Sequence, residues 1–167
     1  MADTTAIQKD VFDPQAALLV LDHRPLSEVE ALGAKMYSDI FLDTARDGRK
    51  PMHDGSEARF FPDTFKHAFF KSPGDYEIDN RRVARIHWIL PLIAGKLPNS
   101  ECWEMVQEGI EKRVYVCFGL SYIVWFKRRL DGGWCFTTAY SAPAKKLRER
   151  MKEYDAKRVA VFSGQKK

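Results

Sequence analysis

Histidine, arginine, lysine, threonine and tyrosine gather in three short stretches of this chain. The first is Phe65-Lys66-His67-Ala68-Phe69-Phe70. The second is Arg81-Arg82-Val83-Ala84-Arg85-Ile86-His87-Trp88, and the third Trp134-Cys135-Phe136-Thr137-Thr138-Ala139-Tyr140. These side chains suit phosphodiester chemistry without a metal. Imidazole moves protons near neutral pH, Arg and Lys bind phosphate oxygens, and Thr or Tyr hydroxyls donate hydrogen bonds to developing charge.

Each stretch also has a structural reading. His67 sits in a segment full of Phe, where a hydrogen-bonded structural histidine is the commoner case. Lys66 beside it makes a corner that can hold phosphate. Arg81, Arg82 and Arg85 recur at helical spacing and line a basic stripe, which a solvated helix face also explains. Arg85 and His87 lie two apart, so one points inward and the other outward. Thr138 and Tyr140 are good strand formers in any case. Strict alternation places them on one face with Trp134 and Phe136, and Thr137 on the other. The concurrence of His, Arg, Thr and Tyr carries the chemical reading, not any single residue.

Other chemistries leave no signature. There is no Walker loop, no GxGxxG, no HExxH and no GxSxG. Cys102, Cys117 and Cys135 fall on predicted strands without CxxC spacing. They read as small apolar fillers in a reducing setting, neither a disulfide framework nor a metal site. No metal and no cofactor are expected.

The elements that must position these residues follow from periodicity. Ser27 is a plausible N-cap for an amphipathic helix carrying Val29, Leu32, Met36, Ile40 and Phe41, running to about Arg46. Asp63 or Thr64 opens a short helix through Phe69, and Asp79 caps another that Pro91 should kink. Four strands then follow: Cys102 to Gln107, Arg113 to Phe118, Tyr122 to Arg128 and Trp134 to Tyr140. Gly119 and Asp131-Gly132-Gly133 mark turns. Residues 143–158 read as a basic helix opened by Pro143. The expected class is α+β: N-terminal helices packed on a four-stranded antiparallel meander, then a C-terminal basic helix.

The chain has 167 residues, enough to bury a core without disulfides. Residues 1–56 read as a helical extension and 57–167 as the main domain. Net charge is +4 and unevenly placed. Residues 1–56 carry six basic and ten acidic side chains, whereas 143–167 carry nine and three. That asymmetry favours an anionic partner. No apolar run reaches transmembrane length and the start lacks a secretory pattern, so a cytoplasmic protein without membrane attachment is expected.

Four motifs together resemble a family: Lys66-His67-Ala68-Phe69-Phe70, Arg81 to Ile89, Val114-Tyr115-Val116-Cys117-Phe118, and Phe136 to Tyr140. They look like the phage-associated nucleases of the barnase–EndoU–colicin–RelE type, over roughly residues 57–141. The resemblance implies helices on a four-stranded antiparallel sheet. It also implies RNA cleavage without a metal, by 2′-OH attack to a 2′,3′-cyclic phosphate, in a phage or mobile-element toxin or effector. RNA, as tRNA or mRNA, and a cognate inhibitor protein are the implied partners. Matched by motif, His67, Arg85 or His87, Thr138 and Tyr140 take catalytic roles, while Lys66, Arg81 and Arg82 read as phosphate-binding from their own charge and spacing. The acidic N-terminal segment and the basic end after Pro143 have no counterpart in the family. They leave open a non-catalytic binding module, an inhibitor or adaptor that grips a protein or nucleic acid on the same fold.

Overall fold

A computed structural model describes residues 11–42, 47–71 and 77–163. The four expected strands are present, but inside a larger sheet. Seven strands run in the order β1-β2-β6-β5-β4-β3-β7 and curl into a half-barrel. The expectation of a four-stranded meander is therefore wrong. The core of the sheet is β3 (Ser100–Gln107), β4 (Ile110–Cys117), β5 (Tyr122–Arg128) and β6 (Trp134–Ser141), each antiparallel to the next. Short β1 (Arg49–Pro51) pairs with β2 (Glu57–Arg59), and β2 pairs parallel with β6 at Ala58 and Arg59 alone. On the far side β7 (Lys157–Phe162) pairs antiparallel with β3.

The missed strands share a cause. β1 and β2 are three residues long and mostly charged, too short for any period to show. The start of β7 falls within the basic helix expected over residues 143–158. That helix, α5 (Ala144–Glu153), stops earlier. Asp155 turns the chain with φ of 50°, and Ala156 N–H donates to the Met151 carbonyl. An αL residue after a helix end is usually Gly; here Asp takes the place and hides the stop. β7 is then seated by Gly95, whose φ is +74° and whose added Cβ would lie 2.7 Å from the Phe162 ring.

The remaining helices are short except α1 (Leu26–Phe41), which buries Val29, Gly33, Tyr37 and Phe41. Its N-cap position is Pro25, not Ser27, and it makes no side-chain cap. α2 spans Thr64–Phe69. Asp79 caps α3 (Asn80–Ala84), accepting from Arg81 N–H at 3.0 Å as expected of an N-cap. The long helix expected after Asp79 breaks into a 3-10 turn at Ile86–Trp88 and then α4 (Ile89–Ile93). Pro91 has no N–H to donate to the His87 carbonyl and its ring would clash there. Residues 43–46, the expected end of α1, and Ser72-Pro73-Gly74 lie outside the described residues.

Two cores flank the sheet. The larger one packs α1 to α4 against Cys102, Tyr115, Tyr122, Val124, Phe126, Trp134 and Phe136. Its centre is aromatic: Phe60 lies 4.3 Å from Phe41 and 4.9 Å from Phe136, ring centre to ring centre, in stacked pairs. The smaller core packs Leu147 and Met151 of α5 on Met105, Val114, Val116 and Ile123. Both sheet faces are thus covered, which explains the apolar alternation on each side of β4 and β5. The β3–β4 hairpin closes through Glu108 and Gly109, both at positive φ, in a two-residue turn that suits strand twist. Among the described residues no helix is long and apolar enough to cross a membrane.

Candidate functional site

A β-bulge decides what the last strand presents. Trp125 pairs with Thr138, yet the next residue, Phe126, pairs with Phe136. Thr137 is the extra residue, and it reverses the alternation. Trp134 and Phe136 therefore enter the larger core. Tyr140 packs on the α5 side instead, and Thr138 shares its face. The expectation that all four share one face is overturned by this single insertion.

On that face Thr138 and Tyr140 meet two arginines. Arg82 reaches over from α3, where β6 has no strand neighbour beyond Cys135 among the described residues. Its guanidinium donates to the Ala68 carbonyl at 2.9 Å and to Thr138 Oγ1 at 3.4 Å. Asp79 steadies it at 3.5 Å. From the other side, Arg150 of α5 donates to the Tyr140 hydroxyl at 2.8 Å. Both guanidinium groups lie over the Tyr140 ring, at 5.6 and 5.9 Å from its centre. Trp125 Nε1 also donates to that hydroxyl, at 3.2 Å. The Tyr140 oxygen thus accepts two hydrogen bonds, and its own proton is left to donate elsewhere. A donor set between two cations is an arrangement for an anion.

The other sequence candidates lie around this cluster rather than in it. Lys66 and His67 are exposed on α2, a helix that lies against β6 and supplies the Ala68 carbonyl that anchors Arg82. Arg81 is exposed on α3. Arg85 turns back to the Arg81 carbonyl at 2.8 Å and stacks on Trp88 at 5.3 Å. His87 is half-buried in the 3-10 turn. Among the described residues, no hydrogen bond joins His67, His87 or Arg85 to Tyr140. In the sequence Arg150 belongs only to a basic helix, and no signal ties it to Tyr140, ten residues earlier.

A second cluster escaped the sequence reading altogether. Arg113 of β4 is 6% exposed. Its guanidinium meets Asp54 at 2.8 Å and Glu104 at 3.0 Å, donates to Ser56 Oγ at 3.0 Å, and stacks on Trp134 at 4.6 Å. Next to it, His53 Nδ1 lies 2.7 Å from the Tyr115 hydroxyl. Ion pairing with Arg113 and hydrogen bonds from Ser56 hold the Asp54 carboxyl well below the usual carboxylate range, against the opposing effect of burial. Burial pushes the Tyr115 phenol far up. One cation here faces two carboxylates, so the cluster repels a phosphate. It pins the β1–β2 turn onto the sheet. The neighbouring recess at the strand ends, lined by Glu104, Glu111 and Asp155 as well as Lys112, Arg128 and Lys157, is likewise of mixed sign.

Burial lowers the His53 pKa below its ordinary value. A histidine held neutral in the fold binds fewer protons than in the unfolded chain. Its stabilising contribution is complete above pH about 6.5 and declines as pH falls from there toward its folded pKa. His53→Gln should flatten that decline, read as the urea midpoint at pH 7 and pH 5. An unchanged slope would show that His53 does not titrate with folding.

Among the described residues, no group of three or more His, Cys, Asp and Glu side chains is arranged to hold a metal ion. Cys102 and Cys117 are buried, Cys135 is half-buried, and all three are free. Compared with known proteins, the chain matches no family model, no curated protein and no solved structure.

Proposed function

We propose that this protein is an endoribonuclease that works without a metal and receives the scissile phosphate at Tyr140, between Arg82 and Arg150. The observation that carries the reading is the Tyr140 hydroxyl, which accepts from Arg150 and Trp125 and keeps its proton for an incoming oxygen. The motif resemblance over residues 57–141 supports the same class and a phage or mobile-element effector as its setting. In this reading the ribose 2′-oxygen bonds to phosphorus and the bond to the 5′-oxygen breaks. His67, exposed beside Ala68, takes the 2′-OH proton and returns one to the leaving oxygen. Arg82, Arg150 and Tyr140 stabilise the charge that builds on the phosphorane.

The test is incubation of the protein with RNA in EDTA. Fragments ending in 2′,3′-cyclic phosphate are expected, and none from a 2′-deoxy strand. Arg82→Ala should lower the cleavage rate about 10²- to 10³-fold, the cost typical of losing one charge-stabilising donor. Tyr140→Phe should lower it with the fold unchanged by circular dichroism. Intact RNA, or cleavage indifferent to both substitutions, would sink the proposal.

A second reading, a non-catalytic RNA-binding module, is favoured by one fact: no histidine is hydrogen-bonded to the Tyr140 cluster among the described residues. It predicts that His67→Ala changes nothing, whereas catalysis by His67 predicts a loss of 10²-fold or more.

A further inference from the structure

We infer that the same sheet face carries a second subsite, formed by Lys112, Lys127 and Trp125, which binds the single-stranded RNA flanking the phosphate held at Tyr140. Lys112 and Lys127 are directly opposite each other on β4 and β5. Like charges in that position destabilise a sheet, so the pair needs a counter-charge. Among the described residues no ion pair joins either lysine to a carboxylate: Lys112, which also lines the mixed-sign recess holding Glu104 and Glu111, donates to Gln107 Oε1 at 2.8 Å, and Lys127 is exposed. Lys112 Nζ also lies over the Trp125 ring at 5.9 Å.

Trp125 links the two subsites. It lies two residues from Lys127 on the same face of β5, and its indole N–H donates to the Tyr140 hydroxyl. Lys127 is four residues from Ile123, the partner of Tyr140. That is about 13 Å along the strand, a span for a short run of extended backbone. Between them the face offers Trp125, Cys135 and Thr138, half-buried and without a carboxylate. Alternating cations with an aromatic ring is the arrangement that holds a single strand by its phosphates and stacks a base.

The inference rests on reading Tyr140 as an RNA site, but its test does not need cleavage. The full chain is titrated with a labelled 2′-O-methyl RNA decamer, which has no free 2′-OH, and anisotropy is followed from low to moderate salt. Lys127→Glu should weaken binding about tenfold and reduce the salt slope, since each lost phosphate contact removes about one released counterion. The same substitution places Glu opposite Lys112, so thermal stability should hold or rise while binding falls. Lys35→Glu, at an exposed position of α1 where Lys35 pairs only with Asp39 at 2.8 Å, is the control for net charge and should leave affinity within twofold. Unchanged affinity for Lys127→Glu overturns the subsite. So does a melting temperature that falls with binding, which would mark a structural role, and so does equal competition by poly-glutamate, which would mark a surface for acidic protein. If RNA stays intact in the cleavage assay yet the decamer binds through Lys127, the nuclease reading fails and this one stands.

Discussion

Phe136→Ala should cost about 4 kcal/mol of stability, the middle of the range for emptying a buried aromatic site. Phe136 is 1% exposed and its ring touches five others: Tyr37, Phe41, Phe60, Phe69 and Phe126. Those partners come from α1, the segment after β2, α2 and β5, so no one element can collapse to fill the space. For a chain of this length the melting temperature should fall by roughly 8–16 °C. Phe136→Leu keeps most of the volume and should cost less than half as much. The measurement is urea unfolding of both variants beside the wild type. Equal, small losses would show that the cavity closes, and that the stacked cluster does not act as one packed unit. The functional cost follows from position: Phe136 is the last residue before the bulge, so a loosened core there frees the strand that carries Thr138 and Tyr140.

Arg113→Ala should be nearly as damaging, at about 3 kcal/mol. Removing one member of a buried ion cluster leaves the others unpaired, and the lower end of the usual range applies because Asp54 and Glu104 are each about one-third exposed. The loss carries a pH signature. The Asp54 carboxyl is held well below its ordinary value of 3.8 in the fold. A carboxyl depressed in this way stabilises fully above its unfolded pKa, and that contribution drains away as pH falls toward the folded value. Wild type should therefore lose stability as pH drops below about 4. Arg113→Ala should lose less over the same interval, so the two curves converge in acid. Parallel curves from pH 5 to pH 2 would mean that Arg113 and Asp54 are not coupled. Because this cluster lies on the other face of the sheet from Tyr140, RNA binding by the folded fraction should be unchanged.

How far these sites are legible in the sequence depends on the range of the interactions that make them. The four central strands, the Asp79 cap and the break near Pro91 are local events. They follow from alternation, from a side chain reaching two residues ahead, and from a missing N–H, so they can be read along the chain. The residue types at Arg82, Thr138 and Tyr140 are equally plain there. Their common location is not: a bulge at Thr137 sets which way Tyr140 faces, and strand registry across β5 and β6 sets the bulge. Arg150 joins them only because Leu147 and Met151 dock α5 on the sheet face that carries Tyr140. The Arg113 cluster draws on residues up to 59 positions apart and has no spacing to announce it. The short strands β1 and β2, and edge strand β7, exist because a neighbour offers hydrogen bonds, since their own sequences are too brief or too charged to impose a period. The amino-acid sequence by itself determined the elements and the chemistry available to them. Tertiary structure alone decided which side chains meet, because pairing register, bulges and docking are settled by contacts between distant segments.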